Sequence, residues 1–419
     1  MPLPAHAPQR VAGRQFMKPR RKTMAITLGR SRVESARLGR RFLWATLSAA
    51  LVATSACSTG TGSDSASGGG IPAPASLPPF SAPTENGQPT GLPRSIGNPQ
   101  STTNEYDNDI VVGLRAGAAD TGMELQAAVS DGDPQRHIQI TDQFRTSGVG
   151  SIVTSVLDPA AQEPGLLAAI EDGVAVQTVV MGPSTSTANA PQYEIGKALA
   201  LSARNFVDTT LGGRATVALL NIDSVESVRP RYQAIRDVFA EMPGVEIVAD
   251  VEPATQDSQA GYETMATLLQ KNPQIDIVLG EDYFGTGALA AMQASGRDLS
   301  KVFIGGTNAS NEPRDNIARG TAYRAVVSTS PAIMAYAMAR HAADWVDGKA
   351  IPQGMCIVPL ILDSPQAVAA FENDMNDLKG TYETPERLSK YLTFLGSISY
   401  ETRDQWFTDT WTPTTCGNA

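Results

Sequence analysis

Histidine and cysteine are scarce in this chain of 419 residues, with three of each. Three histidines (His6, His137 and His341) exclude a His-rich metal centre, and no metal site is expected. Three cysteines (Cys57, Cys356 and Cys416) are too few for a disulfide scaffold. A Gly-X-Ser-X-Gly nucleophile elbow is missing, and Gly113, Gly117 and Gly122 follow neither phosphate-loop nor dinucleotide spacing, so no cofactor is expected. Basic residues are sparse after Ala56. Residues 1–56 hold eleven Lys/Arg and one acid, leaving 22 basic against 42 acidic residues for the rest. A body so acidic is unsuited to nucleic acid, because phosphates need a basic surface.

Long apolar runs are also lacking. The stretch Phe42 to Ala56 carries no charge, but it is shorter than the roughly 20 residues a membrane-spanning helix needs. Arg37, Arg40 and Arg41 precede it and small residues close it, which is the pattern of an export signal. Thr54-Ser55-Ala56-Cys57 resembles the bacterial lipobox, departing from it at Thr54, where leucine is usual. That resemblance implies lipidation of Cys57 and attachment to the outer face of the cytoplasmic membrane. Gly39-Arg40-Arg41-Phe42-Leu43 is weakly similar to a twin-arginine motif, and Met24 is a plausible true start. In an exported protein the remaining Cys356 and Cys416 are expected to pair and pin the C-terminal tail, the alternative being two free thiols.

Residues 58–90 are Ser, Gly, Pro, Thr and Ala with almost no apolar periodicity, and read as a tether. From Leu92 strand-like runs alternate with helical ones. Strands are expected at 151–156, 174–181, 215–221, 245–251, 275–280, 302–305 and 323–328. Helices are expected at 110–119, 133–147, 163–171, 192–209, 230–242, 258–271, 285–295, 312–319 and 331–346. Ser258 and Asn311 suit N-caps and Gly348 a C-terminal stop. This alternation predicts an α/β protein with parallel sheets, as two doubly wound lobes or one barrel.

Several stretches resemble, in order and spacing, the type I periplasmic binding proteins, particularly the ribose/galactose-type sugar-binding subunits of ABC importers. They include Ser147-Gly148-Val149-Gly150-Ser151-Ile152-Val153 and Asp172-Gly173-Val174-Ala175-Val176, the latter similar to the family's Gly-Ile-Pro-Val. Asn272-Pro273-Gln274-Ile275-Asp276-Ile277-Val278 leads to Glu281-Asp282, where the family has Asn-Asp, and to Gly285–Ala290. Ile304-Gly305-Gly306-Thr307 is similar to its Val-Gly-Phe-Asp, and Ser328 to Lys349 to its late helix. The resemblance spans Asn98 to Asp363. It implies two doubly wound parallel-sheet lobes joined by a three-stranded hinge, with crossings near Gln192, Thr329 and Val358 and a ligand held between the lobes. The expected division is leader 1–56, tether 57–91, first lobe 92–192 plus 330–357, and second lobe 193–329 plus 358–419.

Carried onto matching positions, the resemblance places Tyr106, Asn108, Arg229, Glu281, Asp282, Thr307, Asn308 and Thr329 at the ligand. Arg229, in Val228-Arg229-Pro230-Arg231, would span adjacent hydroxyls, with Arg231 in reserve should the register slip. Glu281 would face the ligand while adjacent Asp282 caps the following helix. Thr307 and Asn308 serve either the ligand or the turn at Gly305-Gly306. Tyr106 would supply a stacking ring, with Tyr283 and Phe284 as alternatives. The family's Asp-Arg pair after the third strand falls on Val180 and Met181, and its early aromatics on Ile110 and Val111. These departures point away from ribose or glucose toward another polyol, a sugar derivative or a less polar solute. The expected function is capture of a sugar-like or polyol ligand and delivery to the membrane subunits of an ABC importer, with a binding-only sensor as the alternative. A repressor of related fold would need a basic helix-turn-helix where the tether stands. An exported enzyme is disfavoured, since His137 and His341 both fall in helical stretches.

Overall fold

The computed structural model describes residues 69–416. The leader, Cys57 and the first part of the tether lie outside the described residues.

The chain builds its first lobe from β1 (Ser95–Gln100), α1 (Glu105–Thr121), β2 (Glu124–Val129), α2 (Pro134–Ser147), β3 (Ser151–Ser155), α3 (Pro159–Glu171), β4 (Ala175–Val179) and β5 (Ser186–Asn189). The second lobe follows as α4 (Gln192–Thr210), β6 (Ala215–Leu220), α5 (Arg229–Ala240), β7 (Val245–Val251), α6 (Ser258–Lys271), β8 (Ile277–Gly280), α7 (Asp282–Ala294), β9 (Phe303–Thr307), α8 (Asn311–Ala318) and β10 (Tyr323–Ser328). Then α9 (Pro331–Val346) and β11 (Gly354–Ile357) return to the first lobe, and β12 (Leu360–Leu362) and α10 (Pro365–Met375) to the second. Finally α11 (Leu378–Glu383), α12 (Pro385–Leu388) and β13 (Leu392–Leu395) close the chain's course.

The strand orders are β13-β11-β5-β4-β3-β1-β2 and β12-β10-β9-β8-β6-β7. Both sheets are parallel except at one edge, where β13 runs antiparallel to β11 and β12 antiparallel to β10. The chain crosses between lobes at Gln192, Thr329 and Val358, and passes back once more between α10 and α11. The expected assignment of residues 358–419 to the second lobe is therefore corrected: β13 pairs with β11 and covers an otherwise open edge of the first sheet. The tether is shorter than expected as well. Ile71 bridges Phe407 and Pro79 bridges Leu395, because Ala73 and Leu77 bury apolar surface against Phe407 and Trp411. Cys356 and Cys416 are bonded, Cα–Cα 5.3 Å, which fixes the last described residue to β11.

Local chemistry explains most boundaries. Asp133 caps α2 through the amides of Gln135 and Arg136, Pro134 opens it, and left-handed Gly148 ends it. The caps of α6 and α8 are Asp257 and Ser310, each one residue before the expected Ser258 and Asn311. Gly348 takes φ 75° directly after α9, as a stop requires. In β1, Gly97 lets Phe144 lie against the backbone, since a Cβ there would stand 2.6 Å from the ring.

Candidate functional site

Parallel α/β sheets leave space beyond the carboxyl ends of their strands. Here the ends of β3, β4 and β5 face those of β6, β8, β9 and β10 across a cleft of about 360 Å³. The first-lobe side is mainly apolar, with Val156, Val179, Val180, Met181 and Ala190, and its polar members are Asn104, Tyr106 and Ser155. Val180 adopts φ 74°, a conformation disfavoured for a β-branched residue.

The second-lobe side is polar and centred on Glu281, at the end of β8. Its Oε1 accepts from Arg231 Nη1 at 2.7 Å and from the Tyr232 hydroxyl at 2.5 Å. Its Oε2 accepts from Thr307 Oγ1 at 2.6 Å and Asn308 Nδ2 at 3.0 Å. Four donors occupy the four lone-pair sites of this carboxylate. Glu281 thus organises neighbouring donors while also lining the cleft. Arg231 and Glu281 are 5 % and 2 % exposed, so they form a buried ion pair. Burial opposes the Arg231 charge, yet Glu281 beside it holds the guanidinium above its ordinary value.

Arg231 also donates from Nη1 to Thr307 Oγ1 at 2.9 Å and from Nη2 to Gln192 Oε1 at 2.7 Å, at the first crossing. Three of its five N–H groups are used. Its Nε has no partner among the described residues, nor has the buried Thr329 Oγ1 on the same cleft. Such orphaned polar atoms are costly unless something occupies the space beside them.

The expected residues divide as follows. Tyr106, Glu281, Asn308 and Thr329 line the cleft. Thr307 stands one layer behind, fully buried. Asp282 faces a neighbouring recess and accepts from the Ser310 amide at 2.8 Å and from the Ser310 hydroxyl. Burial pushes its carboxyl up to about 7, although those hydrogen bonds pull the other way. Asn308 has φ 97°, so it serves the turn as well as Glu281.

Arg229 and Asn108 are corrected. Arg229 is exposed and donates to the Asp223 carbonyl, because α5 begins at Arg229 and turns the second residue onward, Arg231, into the cleft. Asn108 lies inside α1, which starts five residues earlier than the periodicity indicated. It is exposed and bonds Gln100 and the Thr103 carbonyl, while Asn104, the cap of α1, reaches the cleft instead. Tyr283 lines the cleft opposite Tyr106 and Phe284 is core. Burial pushes both cleft phenols up, so each is a neutral hydroxyl. Gln192 was visible in the sequence only as a crossing, and Gln256 carried no signal.

Elsewhere the two described histidines are structural. His137 lies between Ser130 Oγ and Thr154 Oγ1, and His341 packs edge-on to Phe394. Burial lowers them to about 4 and about 3. Among the described residues no group of acidic, His and Cys side chains could hold a metal ion, and no helix is long and apolar enough to cross a membrane.

Comparison with known proteins agrees with this architecture. The D-apiose import binding protein of Actinobacillus succinogenes is 32 % identical over 121 residues, 29 % of this chain and 38 % of that protein. The matched stretch thus spans well under half of that relative. A solute-binding protein of an ABC transporter from the same organism, with bound D-allose, superposes with a TM-score of 0.60 at 19 % identity, covering 66 % of this chain and 99 % of its own. The 5-methylthioribose transporter solute-binding protein of Thermotoga lettingae gives 0.60 at 19 %, covering 72 % and 98 %. The periplasmic binding protein domain model matches residues 98–350, well over half of the chain, and the protein belongs to that family.

Proposed function

We propose that the protein is a lipid-anchored extracytoplasmic solute-binding protein. It captures a neutral, sugar-like or polyol ligand between its lobes and delivers it to an ABC importer. The observation that carries this reading is the Arg231–Glu281 pair. Its charges cancel, its carboxylate is saturated, and the guanidinium keeps an unpartnered Nε beside the cleft. A neutral polar cleft suits hydroxyl groups better than a carboxylate or ammonium, whose charge would be buried without a counter-ion. Tyr106 and Tyr283 supply rings for the C–H faces of such a ligand. The related proteins, whose names refer to sugars and transporters, support the same class. Attachment through Cys57 rests on the lipobox-like sequence.

A thermal-shift screen of pentoses, hexoses, polyols, inositols, nucleosides and amino acids tests it. A native-state ligand at a hundredfold excess over Kd should stabilise by roughly 2.7 kcal/mol. A neutral polyhydroxyl hit is expected, weakened at least tenfold by Arg231→Lys and unchanged by Arg229→Ala. Hits confined to charged solutes would overturn the assignment.

A further inference from the structure

A second hollow of about 830 Å³ adjoins the cleft at Met181, and the two share Val180, Met181, Ala190, Gln192 and Ser227 as lining. One side of the hollow is the end of β5 with Pro191, and the other is the approach to α5 around Glu226 and Pro230. Its outer wall is the C-terminal segment, residues 410–415. That segment is firmly held. Asn189 Nδ2 donates to the Trp411 carbonyl at 2.8 Å, the Trp411 ring is buried, and Cys416 is bonded to Cys356.

The chemistry changes from the cleft to the adjoining hollow. The polar end carries Arg231, Asn308 and the two tyrosines. At the junction Val180, Met181 and Ala190 offer no hydrogen-bonding side chain, with Gln192 and Ser227 as its polar members. In the hollow Pro191, Pro230 and Pro413 extend the apolar surface among the uncharged Thr410, Thr412, Thr414 and Thr415. The charged side chains lining the hollow are Glu194 and Glu226, both acidic and neither fully buried, so an anionic group is disfavoured there. The cleft alone lies near the lower end of the roughly 300–1,000 Å³ typical of ligand sites, while the hollow lies near the upper end.

We propose that the ligand has two parts: a neutral polyhydroxyl head in the cleft, and an uncharged apolar substituent, an alkyl or aryl aglycone, in the hollow walled by the C-terminal segment. This rests on the assignment of the cleft to a polyhydroxyl group. Val180 and Met181 then act as the wall against which the substituent leaves the head.

Calorimetry on the purified protein tests this with matched sets: one free sugar that binds, its methyl glycoside, and its hexyl and phenyl glycosides. Each buried methylene strengthens binding by roughly fourfold, so the hexyl and phenyl forms should exceed the free sugar by roughly tenfold or more. Thr412→Trp fills the hollow from its exposed outer wall without touching the head-binding residues. It should abolish that gain while leaving free-sugar affinity within twofold, and an unchanged thermal midpoint shows that the variant folds. Equal affinity for free and substituted sugars, or a gain that survives Thr412→Trp, overturns the two-part ligand and leaves the head assignment standing. Failure of every sugar and glycoside to bind overturns both.

Discussion

The two walls of the cleft solve opposite problems. The second-lobe wall buries an ion pair and must satisfy every oxygen of Glu281, which it does with four donors drawn from α5, from β9 and from the turn after it. The first-lobe wall has no such network. Its residues at the end of β4 are Val180 and Met181, and the strained backbone at Val180 is its main local cost. Direction and identity of hydroxyl groups are read mainly on the second-lobe side, while the first-lobe side, with Asn104, Tyr106 and Ser155 as its polar members, discriminates chiefly by shape and apolar area. A site built this way tolerates changes on the apolar wall far better than changes on the polar one.

Glu281→Ala should break the comparison most severely. It leaves Arg231 buried without its counter-ion, which costs about 3–5 kcal/mol, measurable as a lowered urea midpoint. A loss below about 1 kcal/mol would show that the polar wall is no more integrated than the apolar one. Asp282→Asn comes next and has the opposite sign. Burial holds this carboxyl at about 7 against 3.8 in an unfolded chain, so the native state binds the extra proton between those values. Stability therefore falls as pH rises through that window. The amide retains an acceptor for Ser310 and removes the titration, so the variant should gain on the order of 1–3 kcal/mol near pH 8 and nothing near pH 3.5. Equal unfolding curves at both pH values would refute it. Smallest is Val180→Asn, which relieves a β-branched side chain at φ 74°; a gain of about 0.5–1 kcal/mol is expected. A loss would mean that Val180 packing outweighs its strain.

The second lobe was the more legible half in sequence. Its spans 245–251, 258–271 and 323–328 match their elements residue for residue, as 331–346 does in the first lobe, because each carries a clean apolar period bounded by a cap or turn residue. Short first-lobe strands were hidden. β5 reads Ser-Thr-Ala-Asn, and β1 contains Gly97, Asn98 and Pro99; both are buried through tertiary packing that intrinsic propensity does not reveal. The site shows the same limit. The sequence places Arg229 and Arg231 in one tetrapeptide, but they lie about 200° apart around α5, so a choice between them requires the helix start to the residue. Glu281, Asn308 and Thr329 were legible because each directly follows a strong strand. That Glu281 serves its neighbours could not be read, since its donors come from positions 231, 232, 307 and 308.

The bridge between Ile71 and Phe407, with Gly70 donating to the Asp404 carbonyl and Thr408 to that of Ile71, brings both ends of the described body together on the first lobe. Any attachment made ahead of Gly69 or beyond Cys416 therefore grips the same half of the molecule. The first lobe thus carries both points of attachment, so a dye pair with one member on either end and the other on the α6 surface would report any change in lobe separation without restraining it.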